Sequence, residues 1–129
     1  MGAKLFVADL GGSTIRSIDV ATTTTTTLAG KYEVVSRVDG TGSNANFRNP
    51  VDVAVDSLGL LLYVADRDSN VVRAVNISSG LVTTLAGPPT GTNPAAGFAD
   101  GVRALATFTR PAGVCINPAD TVLYSADEE

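Results

Sequence analysis

The chain has 129 residues, the length of one ordinary domain, rich in aliphatic and threonine side chains, with few aromatics and no tryptophan. Its nine basic residues are scattered and the formal net charge is −4, which excludes the basic patch that phosphate recognition needs. With no histidine the commonest general base and metal ligand is missing, and a single cysteine allows no intrachain disulfide.

No leader is read at the start, because Met1-Gly2-Ala3-Lys4-Leu5 runs at once into an extended segment over 4–8. Phe6 stands where a myristoylation signal needs Ser or Thr. Leu-Gly-Gly-Ser at 10–13 is a turn signal, and a strand follows over 14–20. Six threonines then fill 22–27. A low-complexity linker is one reading. The β-branched side chain instead favours extended backbone, so the first two are placed in a turn and the rest in a strand over 24–29. Pro50 enters a strand over 51–55, where a missing N–H costs no ladder bond. Residues 60–65 are apolar almost without alternation, which suits a strand covered on both faces. Asp-Ser-Asn at 68–70 and Ser-Ser-Gly at 78–80 mark turns on either side of a strand over 70–77. Strands over 81–86, over 112–116 behind Pro111, and over 121–126 complete the series. No apolar run approaches the eighteen or so residues of a membrane span.

The segments repeat. Residues 5–30 lie over 62–87 without a gap: Ala8-Asp9 over Ala65-Asp66, Arg16 over Arg73, Asp19 over Asn76, Leu28-Ala29-Gly30 over Leu85-Ala86-Gly87. Residues 39–66 lie over 100–127 in the same way, with Asp39-Gly40, Phe47, Pro50 and Val53 recurring as Asp100-Gly101, Phe108, Pro111 and Val114. The second pair is spaced more widely, and the extra length is assigned to the loop after residue 87. The six threonines fall over Ser79-Gly80-Leu81-Val82-Thr83-Thr84, which supports a turn leading into a strand.

Four short antiparallel strands recurring in this way describe an all-β chain of β-propeller blades. "LYVADRDSNVVRAVN" and "NFRNPVDVAVDSLGLLLYVAD" resemble the NHL repeat, whose blades carry a Pro-x-x-Val-x-Val-Asp strand, a Tyr-Val-Ala-Asp strand and an Asn-x-Ile-Arg strand. The resemblance covers nearly the whole chain. A YWTD-type propeller is the nearest rival, but its Trp and Thr are missing around Tyr63-Val64-Ala65-Asp66. The chain departs from the NHL pattern at Val72, at Ser125 and at the acidic end Asp127-Glu128-Glu129, so the last repeat is read as cut short. The expected organisation is a partial blade over 1–30 with strands two to four, a complete blade over 39–87, and a partial blade over 100–129 with strands one and two.

That is about two blades' worth, whereas propellers close with roughly four to eight. Two bare blade faces of roughly 500 Å² each would forgo on the order of 10 kcal/mol of burial apiece. The ring is therefore expected to be completed by missing blades or by self-association. Three copies give six blades, a count common in the family it resembles. The second strand would then be present twice at each junction.

Candidate chemistry is sparse. Asp9 with Arg16, and Asp66 with Arg73, bracket a hairpin turn and read as ties that orient it, with a partner-recognising rim as the alternative. Asp39-Gly40 and Asp100-Gly101, followed by Phe47 and Phe108, read as turns with a ring plugged between blades; the acidic spacing of a calcium loop is absent. Asp52 and Asp56 could pair at a propeller's centre, but Gly113 and Asn117 stand at the matching positions. Cys115 reads as a buried thiol. Asn76-Ile77-Ser78 is a glycosylation sequon that matters only in a secreted protein. Peptide-amidating lyases resemble NHL propellers and use histidine-bound metal, a role no residue here can take over. No catalytic, cofactor-binding or metal-binding residue is assigned. The expected function is a non-enzymatic scaffold for protein interaction, a fragment of a larger protein, with itself and an unknown protein as partners and neither nucleic acid nor membrane. The alternative is part of a propeller enzyme or ligand-binding protein whose site lies in blades absent from this chain.

Overall fold

The computed structural model describes residues 2–89 and 95–128. Among them the regular elements are β-strands and short 3-10 turns, and no helix is long and apolar enough to cross a membrane. The strands are β1 (Lys4–Asp9), β2 (Thr14–Asp19), β3 (Thr25–Gly30), β4 (Gly40–Thr41), β5 (Pro50–Val55), β6 (Leu61–Asp66), β7 (Val71–Asn76), β8 (Leu81–Ala86), β9 (Pro111–Ile116) and β10 (Leu123–Asp127). They form three antiparallel sheets: β1-β2-β3, then β4-β8-β7-β6-β5, then β10-β9. The extra length expected after residue 87 falls in a stretch that includes 90–94, outside the described residues.

Thr25, Thr26 and Thr27 pair with Ile18, Ser17 and Arg16, so the second half of the threonine run is strand. The turn before it bends through Thr23 at φ 57, where the middle repeat has Gly80 at φ 71. The turn is capped by Asp19, whose carboxylate accepts the backbone N–H groups of Ala21 and Thr22 at 3.0 and 2.9 Å. Asn76 does the same for Ser78 and Ser79. Acid and amide share the task because it needs only an acceptor oxygen two or three residues before the turn.

The middle sheet has a fifth strand that the pattern does not reveal. Gly40 and Thr41 pair with Val82 and Leu81, closing the outer edge of the blade. Two residues, one a glycine, carry no periodic signal.

The sheets stack face to face. Leu62, Val64, Val75 and Val82 of the middle sheet meet Ile15 and Ala29 of the first, with Phe47 and Ala45 inserted from the connecting loop. On the other side Ala65 and Val72 meet Val114, flanked by Phe108 and Leu123. Consecutive residues of β6 therefore bury toward opposite neighbours, which is why its sequence is apolar without alternation.

Candidate functional site

Arg73 is the largest fully buried side chain. β7 aims it at the first sheet, where loop 38–48 closes over it. Its guanidinium donates to Asp66 at 3.1 Å, to Asp39 at 2.7 Å, and to the carbonyls of Val38 and Asn46 at 2.9 and 3.0 Å. The Phe47 ring lies beneath it, 4.9 Å from guanidinium carbon to centroid. Asp66 also accepts the Arg48 N–H at 2.8 Å. Burial pushes the Asp66 carboxyl above the ordinary carboxylate value, while Arg73 pulls it the other way. The Asp–Arg pair thus clamps the connecting loop into the blade interface, a wider task than orienting a turn. Sequence reading placed Asp66 with Arg73 but missed Asp39 as the second carboxylate; its recurrence as Asp100 was the available signal.

The other repeats carry the same parts differently. Asp9 and Arg16 stand 3.7 Å apart, both half-exposed, with Asp9 capping its own turn through the Gly12 N–H. Asp127 accepts the Thr109 N–H at 2.9 Å, as Asp66 accepts that of Arg48.

Asp52 and Asp56 are committed to backbone. Asp52 accepts the Val114 N–H at 2.9 Å and so ties β5 to β9. Asp56 accepts from Leu60 and Leu61, and Asn117 accepts from Thr121 and Val122 in the next repeat. Asp52 and Asp56 serve separate bonds, so no acid–base pair forms from them. Among the described residues no group of three or more His, Cys, Asp or Glu could hold a metal ion. Asn76, the sequon residue, ends β7 with its side-chain oxygen used by the turn.

The two outer faces of the stack are open. Leu5 is 58% exposed and its counterpart Leu62 1%; Val7 is 39% exposed and its counterpart Val64 0%. At the other end Tyr124 is 57% exposed. Cys115, expected to be buried, is exposed. The reason is its face: neighbouring Val114 points at the middle sheet, so Cys115 points away from it, where Ala54 in the middle repeat has β9 as cover. The type of residue suited a buried position, but the sheet that would bury it is not in this chain.

Over 130 aligned residues the chain is 34% identical to NHL repeat-containing protein 2 of Bos taurus, covering 95% of this chain and 17% of that protein. The chain is built of β-propeller blades similar to those of NHL-repeat proteins. It spans about 17% of the length of the curated relatives it matches. No family model matches it. Among solved structures, a Bacteroides thetaiotaomicron protein of unknown function superposes with a TM-score of 0.82 at 24% identity, over 96% of this chain and 30% of that one. An auxiliary nutrient binding protein from Bacteroides ovatus superposes with a TM-score of 0.77 at 25% identity, over 95% of this chain and 32% of that one. In NHL terms the middle sheet is a whole blade. The first sheet holds strands two to four of another, and the last holds strands one and two of a third.

Proposed function

We propose that this NHL-like segment is a non-enzymatic interaction scaffold, a portion of a larger propeller whose open flanks are covered by further blades or by copies of itself. The observation that carries the reading is the contrast between matched positions: Leu5 and Val7 lie bare where Leu62 and Val64 are buried by a neighbouring blade. Apolar faces built for a neighbour, on a chain short of a ring, call for one. The absence of histidine and the commitment of Asp52 and Asp56 to backbone support a binding role over a catalytic one. Partners would dock on the loop faces, where sequence varies without disturbing strands.

Metal analysis of the purified protein, together with melting curves across a panel of small-molecule ligands, tests this. The scaffold reading expects no stoichiometric metal and no saturable shift in melting temperature. A saturable shift would favour a second reading, a ligand-binding ring, for which the structural likeness to the Bacteroides ovatus nutrient binding protein speaks.

A further inference from the structure

The clamp around Arg73 has a second, unfilled copy. Loop 97–109 follows the path of loop 36–48, although the Ala99 N–H meets the Thr107 hydroxyl at 2.8 Å where the Val38 N–H meets the Asn46 carbonyl at 3.2 Å. Gly97 N–H reaches the Phe108 carbonyl at 3.1 Å, as Ser36 reaches Phe47 at 3.3 Å; Thr107 reaches Ala99 at 3.0 Å, as Asn46 reaches Val38. Arg103 takes φ 44 where Gly42 takes φ 56. The acceptors that hold Arg73 therefore recur as the Asp100 carboxylate and the Ala99 and Thr107 carbonyls, with Phe108 in place of Phe47. With Asp127 they line a cavity of about 290 Å³. Among the described residues no arginine enters it.

A matching donor lies on the opposite flank. Arg16 occupies on β2 the place that Arg73 occupies on β7, and its side chain is 41% exposed where that of Arg73 is fully buried. Thr27 occupies the place of Thr84, which donates to Asp39 through both its N–H, at 2.9 Å, and its hydroxyl, at 3.1 Å.

We propose that the Asp100 cavity is a guanidinium-binding site, and that its occupant is Arg16 of a second copy of this chain, arriving with Thr27 beside it. This rests on the reading that open flanks are covered by copies of the chain, and it names the contact. The contact is head-to-tail, so each copy offers one donor flank and one acceptor flank. The duplicated second strand poses no obstacle to the electrostatics. If β10 of the first copy stays in the sheet, Asp127 plays the part of Asp66; if β1 of the second copy replaces it, Asp9 does.

Sedimentation velocity on the whole chain tests this with Arg16→Ala and Asp100→Ala. Both residues are solvent-accessible in the single chain, and circular dichroism confirms that each variant stays folded. Each variant alone is expected to associate at least about tenfold more weakly than the unmodified chain, because a desolvated charge pair loses one member. An equimolar mixture should recover a heterodimer of near-original affinity, since the intact Asp100 of one variant meets the intact Arg16 of the other. An unmodified chain that associates while both variants do so equally well overturns the clamp alone. A chain that stays monomeric at its highest soluble concentration overturns the clamp together with self-association.

Discussion

Thr23 sits at φ 57, a region that costs a β-branched residue roughly 1–2 kcal/mol. Gly80 holds the same turn position without that cost. Thr23→Gly is accordingly expected to stabilise the fold by about 0.5–1 kcal/mol in urea unfolding, and a loss of stability would contradict the turn described here. The two arginines at matching positions should behave in opposite ways. Arg73→Ala leaves Asp66 buried without its cation and is expected to cost about 3–5 kcal/mol. Arg16→Ala breaks a half-exposed pair at 3.7 Å and should cost less than about 1 kcal/mol in the single chain. Equal effects on the urea midpoint would show that burial is not what separates them. Asp19 offers a test by pH. Backbone N–H donation from Thr22, chiefly, holds its carboxyl below the ordinary 3.8. A folded-state value below the unfolded one means that the contribution is present above 3.8 and is lost as pH falls through the folded value. Asp19→Asn keeps the acceptor oxygen, as Asn76 does, but not the charge, so the variant should melt slightly below the parent at neutral pH. Below pH 3.8 the variant should lose less stability than the parent.

At the scale of elements, the connecting loops decide how blades stay together. Phe47 is fully buried between two sheets, whereas its counterpart Phe108 is only half-buried beside the incomplete blade. Phe47→Ala is expected to cost about 3–5 kcal/mol and Phe108→Ala distinctly less, measured by the same urea midpoints. The strands themselves were legible in the sequence. Proline at strand entry, β-branched runs and Gly, Asn or Ser at turns act within a few residues, and two superposed repeats reinforced each signal. β4 was not legible, because Gly40 and Thr41 become strand only through pairing with Leu81 and Val82 far along the chain. The role of Asp39 was hidden for the same reason. An Asp-Gly pair reads locally as a turn, and only the folded blade brings Arg73 and Thr84 onto its carboxylate.

For the whole molecule, the internal repeat supplies its own control. The middle blade shows what each position does when both neighbours are present, and the outer sheets show the same positions bare. Burial of Cys115 was misjudged because residue type speaks of a face and says nothing of whether that face has a partner. Its thiol is expected to react freely with a maleimide in the isolated chain and to slow markedly once the flank is covered. The most direct test of the claim that these flanks require a cover is the mass of the chain in solution by light scattering across a concentration series. The account predicts a mass that rises to a multiple of the 13.1 kDa protomer, with three protomers marking a closed six-bladed ring. A stable, monodisperse monomer at every concentration would contradict it.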